Sequence, residues 1–313
     1  MHSWFARRTY HTDDLAPSDL AARKAAQGLR VSVVLPSRNE AKTISGVVEI
    51  ATALRGTLVD EVVVLDGGST DGTRELAKAA GAKVFDDTEV LGDLGPGLGK
   101  GDALWRSLAV TSGDLVAFVD TDIRNPDPRF VWGPLGPLLL EPEIQLVKGF
   151  YERPVEVAGV LHPAGGGRVT ELAARPLLNL FWPELAGLAQ PLSGEYAGRR
   201  SLLESLPFFT GYGVEIGLLI DTLALCGLDA IAQVDIGTLA HTNQPLDALS
   251  RMAFGIAQVA FSRLGERGCS PSLTASPGQY VQFLRDGEER LKLIEQTVRI
   301  IERPPLRDFL KRP

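Results

Sequence analysis

The chain has 313 residues, of which 44% are hydrophobic and 23% are charged, and its formal net charge at pH 7 is −7. This balance predicts a folded protein of one large or two modest domains, and two cysteines without a metal-binding or disulfide-rich spacing exclude a cysteine-based scaffold. The acidic charge, the lack of a long apolar run and the lack of a secretory leader predict a cytoplasmic protein that binds neither nucleic acid nor a membrane.

The first half of the chain predicts strands that alternate with helices. Residues 1–29 are polar and are interpreted as an N-terminal arm. Short runs rich in β-branched residues then predict buried strands at 31–35, 62–65, 83–85 and 115–119. Apolar residues at helical spacing predict helices near 44–54, 74–80 and 102–110. This alternation is typical of an α/β fold with a mostly parallel central sheet, in which ligands bind at the carboxyl ends of the strands.

The pattern is less regular after about residue 125. Four prolines between residues 126 and 137 predict an interruption of regular structure. Two further strands are predicted at 145–150 and 230–234, and three helices are predicted from about 170, at 213–226 and at 246–264. A last helix is predicted at about 279–301, and its apolar positions would serve either dimerisation or packing onto its own domain.

Two carboxylates follow the strand predicted at 115–119. Asp120 and Asp122 are separated only by Thr121, at a point where the chain leaves the sheet, so both can face one cation. Magnesium and manganese are commonly held by one or two carboxylates together with substrate phosphates. The pattern therefore predicts a divalent metal site, with a solvated turn as the alternative, because Asp-x-Asp is frequent by chance.

A second polar turn begins at Asp66, directly after the strand predicted at 62–65. A carboxylate at the end of a buried strand needs a hydrogen-bond donor, which the imide N–H of a uracil or the hydroxyl of a ribose can supply. The alternative is that Ser69, Thr70 and Asp71 only cap the next helix. We expect both roles in this turn: Asp71 caps the helix and Asp66 binds a ligand.

Two glycine-rich loops carry one cation each. The loop at 95–101 contains Lys100 but lacks the first glycine and the hydroxyl residue of a P-loop, so we expect it to bring one lysine to a diphosphate. The run Gly165-Gly166-Gly167-Arg168 precedes a helix and predicts a second anion site, built from backbone N–H groups and the Arg168 guanidinium. An ordinary surface loop is the alternative in both cases. Two anion sites suggest two anionic substrates.

Two single residues complete the candidates. His241 follows a predicted strand and can complete a metal site begun by Asp122, although a lone histidine is more often structural. Glu215 lies at the start of the helix predicted at 213–226 and can bind sugar hydroxyls; its alternative role is to stabilise the helix dipole.

Seven segments carry a resemblance to known enzymes. Three of them resemble the nucleotide-sugar signatures of GT-A glycosyltransferases: Val33 to Glu40, Leu65 to Thr73 and Val119 to Asp122. Four longer ones resemble the actinobacterial glucosyl-3-phosphoglycerate synthases, a family that also contains mannosyl-3-phosphoglycerate synthases: Gly99 to Leu108, Gly165 to Leu172, Gln190 to Tyr196 and Gly211 to Leu219. The resemblance covers about residues 30–263.

The resemblance implies a fold and a reaction. The fold would be of the GT-A type with a C-terminal helical extension. The enzyme would move glucose from UDP-glucose to the 2-hydroxyl of 3-phosphoglycerate with retention of configuration, with transfer of mannose from GDP-mannose as the alternative. It would be a homodimer. We expect the chain to divide into an arm at 1–29, a nucleotide-sugar half at 30–125, an acceptor half at 126–263 and an extension at 264–313 that would serve either dimerisation or packing onto its own domain.

The resemblance also implies roles for individual residues. The nucleotide sugar would be bound by Pro36, Ser37, Arg38, Glu40, Asp66, Gly67, Lys100, Asp120 and Thr121. The 3-phosphoglycerate would be bound by Gly166, Gly167, Arg168, Thr170 and Asn243. A divalent metal, Mg2+ or Mn2+, would be bound by Asp122 and His241. The residues closest to the chemistry would be Asp120, Asp122, Lys100, Glu215 and Leu192.

Two features differ from the mycobacterial members of that family. Thr121 stands where those proteins have serine, which is a mild change. Thr242 and Gln244 stand where they have arginine, so we expect less positive charge near the acceptor and an altered preference for donor or acceptor.

No carboxylate is marked by the sequence as a nucleophile. We therefore expect attack from the leaving-group face, with a diphosphate oxygen accepting the proton. Two other classes of protein remain open. A sugar-1-phosphate nucleotidylyltransferase would usually have a G-x-G-T-R-type loop after the first strand, which Pro36 to Glu40 does not match. A non-catalytic carbohydrate- or nucleotide-binding protein would bind the donor without turnover.

Overall fold

A sheet of eight strands forms the centre of the structure, a computed structural model that describes residues 2–153, 155–157, 160–162, 167–241, 244–269, 279–285 and 291–311. Numbered in chain order, the strands are β1 Thr9–His11, β2 Val31–Ser37, β3 Glu61–Asp66, β4 Lys83–Asp86, β5 Leu115–Phe118, β6 Leu146–Glu152, β7 Val155–Val157, β8 Val160–His162, β9 Tyr196–Arg199, β10 Phe208–Phe209, β11 Ile231–Thr238, β12 Gln279–Arg285, β13 Leu291–Thr297 and β14 Glu302–Arg303.

Helices cover the sheet. They are α1 His2–Arg8, α2 Pro17–Gln27, α3 Ile44–Thr52, α4 Thr73–Ala79, α5 Lys100–Ser107, α6 Arg129–Leu140, α7 Arg175–Phe181, α8 Arg200–Leu203, α9 Val214–Cys226, α10 Leu246–Glu266 and α11 Leu306–Phe309. A π-helical turn, Thr170–Ala174, leads into α7. Within the described ranges, none of these helices has both the length and the apolar character that crossing a bilayer requires.

The main sheet has the strand order β1-β11-β6-β9-β5-β2-β3-β4. Strand β9 is antiparallel to both of its neighbours, β5 and β6, whereas every other neighbouring pair is parallel. All strands of this sheet except β9 therefore point the same way. The predicted α/β fold with a mostly parallel sheet is confirmed.

Both faces of the sheet are buried, because alternate residues of its strands belong to different cores. In β2, Val33 and Leu35 pack in one hydrophobic cluster and Val34 packs in the other, and all three are fully buried. Helices α2, α3 and α6 supply the first cluster, and α5, α7, α9 and α10 supply the second. Runs of β-branched residues suit such strands because neither face needs a polar side chain.

The direction of the strands decides where the polar turns meet. Ser37 ends β2, Asp66 ends β3, and Asp120 follows β5, so all three lie at the carboxyl edge of the sheet. Strand β9 runs the opposite way and begins at this same edge, which brings the preceding Gly194 beside them. Ligands of parallel sheets bind at such an edge.

Helix α6 contradicts the interruption predicted from the prolines, since it contains both Pro134 and Pro137. Each proline follows a glycine, Gly133 or Gly136, which lacks the Cβ that clashes with a proline ring in a helix. The prolines lack the N–H groups that would form helical hydrogen bonds, and close packing compensates for this loss. Gly133 lies so close to β11 that a Cβ on it would be 2.8 Å from Ile236 Cγ2. The helix is thus stabilised by burial against β11 and not by its own propensity.

The helix predicted at 279–301 is wrong. The described residues of this segment include β12 and β13, which pair antiparallel from Gln279 opposite Thr297 to Arg285 opposite Leu291. In the described residues, strand pairing therefore replaces the helix that the spacing of the apolar residues predicted.

The N-terminal residues pack against the fold and do not extend from it as an arm. Strand β1 pairs with β11 and forms one edge of the main sheet. Trp4 in α1 is buried, and its Nε1 donates hydrogen bonds of 3.0 Å to the carbonyl oxygens of Leu228 and Ile231. Although this segment is mostly polar, burial of Trp4 fixes it against the rest of the fold.

Candidate active site

A cavity of about 480 Å3, here called the larger cavity, opens at the carboxyl edge of β2, β3 and β5. The predicted residues that line it are Pro36, Ser37, Arg38, Glu40, Gly67, Lys100, Asp120, Thr121 and Asp122. They converge because the turns after three parallel strands leave the sheet side by side.

A smaller cavity of about 160 Å3 adjoins the larger one. The predicted residues that line the smaller cavity but not the larger one are Gly167, Arg168, Thr170, Leu192, Glu215 and His241. Five residues line both cavities and form the wall that they share: Lys100, Asp120, Asp122, Tyr212 and Gln244. Gly166 and Asn243, which were predicted for the same site, lie outside the described residues, as does Thr242.

Lys100 lies between two carboxylates in this wall. Its Nζ is 2.6 Å from Asp120 Oδ1 and 2.9 Å from Glu215 Oε1. Burial by itself lowers the pKa of Lys100, but the charges of Asp120 and Glu215 outweigh it and hold the pKa well above the usual value. Gly99 precedes it with a φ of 92°, a conformation that glycine adopts without strain. The ammonium group is therefore fixed in place and charged.

Asp122 and His241 together have the chemistry of a cation site. A β-bridge between Ile123 and His241 brings Asp122 Oδ1 to 3.8 Å from His241 Nδ1. The imidazole is 6% exposed, and neither ring nitrogen has a hydrogen-bond partner among the described residues. The described residues contain no cluster of three or more metal-binding side chains, so a cation here would take its other ligands from water or phosphate oxygens.

The cavity edge is rich in negative charge. Burial, and then the charge of Asp122, raise the pKa of Glu40 to about 7. Burial also acts to raise the pKa of Asp122, but His241, Lys100 and Arg153 outweigh it and lower that pKa. Carboxylates gathered in this way favour a bound cation.

Hydrogen bonds lock the first turn to the other two. Thr121 Oγ1 donates to the carbonyl oxygen of Pro36 at 2.9 Å, and Ser37 Oγ lies 3.3 Å from Thr121 Oγ1. The backbone N–H of Asn39, which has a φ of 58°, donates to Ser69 Oγ at 2.8 Å. The ends of β2, β3 and β5 therefore form one preorganised surface.

Asp66 does not present its carboxylate to the larger cavity, contrary to the prediction. The side chain is fully buried and accepts hydrogen bonds from the Ser69 backbone N–H at 2.9 Å and from Arg74 Nε at 2.6 Å. Its negative charge is thus satisfied inside the protein. Asp71 is not the N-cap residue of α4 as expected, since Gly72 takes that position, but its Oδ1 accepts a hydrogen bond of 3.1 Å from the N–H of Thr73, the first residue of the helix.

Asp87, which the sequence interpretation missed, lines the larger cavity directly after β4. Burial raises the pKa of its carboxyl group, and the negative charge of Asp86 adds to this effect. A Cβ on Gly97 would lie 1.9 Å from Asp87 Oδ2, so the glycine-rich loop packs against this carboxylate. The position of Asp87 could have identified it, because β4 was predicted and its carboxyl end lies at the same edge of the sheet as those of β2, β3 and β5.

Arg153 was also missed. It follows β6 and lines both the smaller cavity and an adjoining pocket of about 80 Å3. It has no ion-pair or hydrogen-bond partner in the part of the chain that the structure describes. The charge of Arg153 nevertheless helps to lower the pKa of Asp122, so it faces the same site.

The residues before β9 form the floor of the site. A Cβ on Gly194 would lie 2.0 Å from Asp120 Oδ2, so only glycine allows this approach. Lys148 on β6 donates to the carbonyl oxygen of Ser193, and its Nζ lies 4.2 Å from the centre of the Tyr196 ring. Burial lowers the pKa of Lys148 to about 8. The floor is therefore closely packed, with a buried amine inside it.

Comparison with known proteins fits this geometry. A model of glycosyl transferase family 2 matches residues 32–130. The glucosyl-3-phosphoglycerate synthase of Mycolicibacterium smegmatis is 49% identical over 305 residues, covering 97% of this chain and 97% of that protein. That of Mycobacterium tuberculosis is 49% identical over 304 residues, covering 96% of this chain and 91% of that protein.

The chain belongs to the glucosyl-3-phosphoglycerate synthase family. Solved structures of the family have the same fold. The mannosyl-3-phosphoglycerate synthase of Rubrobacter xylanophilus has a TM-score of 0.90 at 44% identity, covering 98% of this chain and 97% of that chain. The Mycobacterium tuberculosis synthase in complex with Mn2+, UDP-glucose and phosphoglyceric acid has a TM-score of 0.84 at 46% identity, covering 96% and 98%. The predicted family, the GT-A-type fold and the predicted class of glycosyltransferase are confirmed.

Proposed function

We propose that this protein transfers glucose from UDP-glucose to the 2-hydroxyl of D-3-phosphoglycerate with retention of configuration. The observation that carries the proposal is the pair of adjoining cavities whose shared wall holds Lys100 and Asp120. Two anionic molecules that bind in the two cavities come into contact at these shared residues, where the sugar is transferred. The relative from Mycobacterium tuberculosis, crystallised with UDP-glucose and phosphoglyceric acid, supports this assignment.

The larger cavity is the donor site in this proposal. Arg38 and Lys100 are the cations among its described lining residues, and they place positive charge at the diphosphate. Gly67 and Asp87 follow β3 and β4. The Asp87 carboxylate can accept hydrogen bonds from the uracil or the ribose, whereas the Gly67 N–H already donates to the carbonyl oxygen of Ser37 at 2.8 Å. Glycine at position 67 lets the nucleotide approach the backbone closely.

Asp122 and His241 hold the divalent cation, Mg2+ or Mn2+, in this proposal. One carboxylate oxygen and one imidazole nitrogen suit an ion that takes its other ligands from the diphosphate. When bound, the ion neutralises the charge that develops on the leaving diphosphate. Crystal structures of the Mycobacterium tuberculosis relative with UDP and Mg2+, or with UDP-glucose and Mn2+, support this choice.

The smaller cavity is the acceptor site. A phosphoglycerate carries a phosphate and a carboxylate, and two arginines, Arg168 and Arg153, line this cavity. Gly167, with a φ of 76°, and Thr170 at the start of the π-helical turn add a backbone N–H and a hydroxyl. Each anionic group of the acceptor can therefore meet its own guanidinium.

The carboxylates around Lys100 support attack from the leaving-group face. Asp120 and Glu215 both pair with Lys100, so neither is a free nucleophile. In this mechanism the bond from the anomeric carbon to the diphosphate breaks as the acceptor oxygen attacks the same face. A diphosphate oxygen accepts the proton of the acceptor hydroxyl.

One observation favours a second candidate. The mannosyl-3-phosphoglycerate synthase of Rubrobacter xylanophilus has the same fold over nearly the whole chain. Transfer of mannose from GDP-mannose is therefore the alternative reaction at the same site.

The proposal is tested by measuring product formation for each combination of UDP-glucose, GDP-glucose and GDP-mannose with 3-phosphoglycerate, glycerol 3-phosphate and glycerate. We expect the highest kcat/KM for UDP-glucose with 3-phosphoglycerate, and none when EDTA removes divalent metal. Highest kcat/KM with GDP-mannose would establish the alternative. Release of pyrophosphate, or no transfer to phosphoglycerate, would contradict both.

We also propose a cytoplasmic homodimer. Cys226 and Cys269 are exposed and unpaired, as expected in a reducing compartment. Light scattering after size exclusion should give twice the mass of the 33.6 kDa chain. A mass equal to one chain would contradict the dimer.

A further inference from the structure

The segment at 300–309, here called the C-terminal strap, crosses behind the larger cavity. Its β14 pairs antiparallel with β10. The carbonyl oxygen of Ile301 accepts a hydrogen bond from the N–H of Thr210, and Thr210 Oγ1 accepts one from the N–H of Ile301, both at 2.9 Å. Trp105 Nε1 in α5 donates to the carbonyl oxygen of Pro304 at 2.8 Å. The strap therefore contacts both α5 and the turn before α9.

An ion pair joins the strap to Asp102 in α5, and Asp102 in turn is bonded to the glycine-rich loop. Arg303 Nε lies 2.6 Å from Asp102 Oδ1, and its Nη2 lies 3.3 Å from Asp102 Oδ2. Asp102 is fully buried, two residues after Lys100, and its Oδ2 accepts a hydrogen bond of 3.0 Å from the backbone N–H of Leu98. Arg106 Nε supplies one more donor at 3.1 Å. One buried carboxylate thus fixes the backbone on either side of Lys100.

The strap also supports the opposite side of the larger cavity. Gly211 and Tyr212, which line it, follow the Thr210 that is bonded to the strap. A Cβ on Gly211 would lie 3.6 Å from Ile300 Cδ1 of the strap. A Cβ on Gly99 would lie 3.3 Å from Gly211 Cα, so the two sides touch. A shift of the strap would therefore change the positions of both Gly99 and Gly211 in the lining of the larger cavity.

We propose that Arg303 is a positioning residue for the donor site. Its guanidinium holds Asp102, and Asp102 holds the loop that presents Lys100 to the donor diphosphate. The inference rests on the proposed donor role of Lys100. Loss of Arg303 leaves a buried carboxylate with fewer donors, so the loop relaxes and the lysine moves. A small displacement at a reacting centre is enough to lower the rate greatly.

The test compares Arg303→Ala and Arg303→Lys with a control on the same strap, Arg307→Ala. The Arg307 side chain is 55% exposed and pairs only with its neighbour Asp308 among the described residues. Steady-state kinetics are measured with UDP-glucose and 3-phosphoglycerate varied in turn, UDP binding is measured by calorimetry, and folding is checked by circular dichroism.

We expect Arg303→Ala to lower kcat/KM for UDP-glucose about 10²-fold and to weaken UDP binding, with a much smaller change in KM for 3-phosphoglycerate. Added methylguanidinium should restore part of the loss, Arg303→Lys should be intermediate, and Arg307→Ala should match the wild type. Equal effects on donor and acceptor, or no effect of either Arg303 variant, would overturn the inference. If Arg303→Ala does not fold, the lysine variant decides. Absence of transfer by the wild type would instead refute the proposed function.

Discussion

Lys100 shows how a charged residue is held ready at this site. A lone buried amine tends to lose its proton, yet two carboxylates within 3 Å raise the pKa of Lys100. The sequence predicted Lys100, Asp120 and Glu215 as separate site residues, but not that the two carboxylates pair with the lysine. Those partners come from the end of β5 and the start of α9, which only the fold brings together. Asp66 is the opposite case. The sequence predicted that its carboxylate binds a ligand, but Ser69 in its own turn and Arg74 already donate hydrogen bonds to it.

The cation site gives the first prediction at the residue scale. Asp122→Ala and His241→Ala should each abolish turnover that depends on Mg2+ or Mn2+, because each removes one of the two proposed protein ligands of the cation. Calorimetry with Mn2+ in the presence of UDP should show the matching loss of binding. His11→Ala is the control, since His11 lies on β1, away from both cavities. Normal rates in Asp122→Ala would refute the assignment.

The two arginines of the smaller cavity give the second prediction. Arg168→Ala and Arg153→Ala should each raise KM for 3-phosphoglycerate about tenfold or more and change KM for UDP-glucose little, since a charged hydrogen bond is worth about 1.5–3 kcal/mol. The control is Arg7→Ala, because the Arg7 side chain is 55% exposed and pairs with Asp229, and neither residue lines a cavity of the site. Equal effects on donor and acceptor would place these arginines elsewhere.

At the scale of the elements, strands with continuous β-branched runs were predictable, because burial on both faces leaves a clear pattern. Helix α6 was not, since its prolines are tolerated only through the glycines before them and the packing around them. Strand β9 was missed as well. Four residues that include a glycine are too few to show an alternation of polar and apolar residues, and the strand is stabilised by its pairing with β5 and β6. Its antiparallel direction is what places Gly194 under Asp120.

Gly194→Ala tests this element. The added Cβ would lie 2.0 Å from Asp120 Oδ2, and the Asp120 side chain can turn away, which breaks its pair with Lys100. We expect kcat to fall about 10²-fold with a small change in melting temperature. Gly92→Ala is the matched control, because a Cβ there meets no atom within 4 Å. Unchanged kcat in Gly194→Ala would contradict the packing of the floor.

Lys148 on β6 predicts a pH dependence of stability. Its pKa falls from 10.5 to about 8 on folding, because burial disfavours the charged form. Between pH 8 and 10.5 the unfolded chain binds this proton and the folded chain does not, so the Lys148 contribution to stability rises with pH. Below pH 8 both the folded and the unfolded chain bind this proton, so burial of the charged Lys148 lowers the free energy of unfolding by a constant amount.

The measurement is urea unfolding of the wild type and of Lys148→Met from pH 7 to pH 10. The stability of the wild type relative to the variant should rise above pH 8 by up to about 1.4 kcal/mol per pH unit. A difference that stays flat over this range would mean that the folded protein keeps Lys148 protonated.

At the scale of the whole molecule, the site depends on joining two parts of one sheet. Strands β5, β2, β3 and β4 carry the larger cavity, whereas β6 and β11 lead to Arg153 and His241 beside the smaller one. The bridge between Ile123 and His241 closes the gap between them. The sequence predicted most residues of both sets but missed Asp87 and Arg153, and the wall that the two cavities share follows from the topology. The division of the chain at residue 125 stays a prediction.

In the proposed function, donor and acceptor bind side by side at this wall. A crystal structure of the protein with UDP, Mn2+ and 3-phosphoglycerate would show their positions directly. We expect the diphosphate at Lys100, the metal between Asp122 and His241, and the phosphoglycerate at Arg168 and Arg153 in the neighbouring cavity. Phosphoglycerate bound in a separate crevice, away from the wall of Lys100 and Asp120, would contradict this proposal.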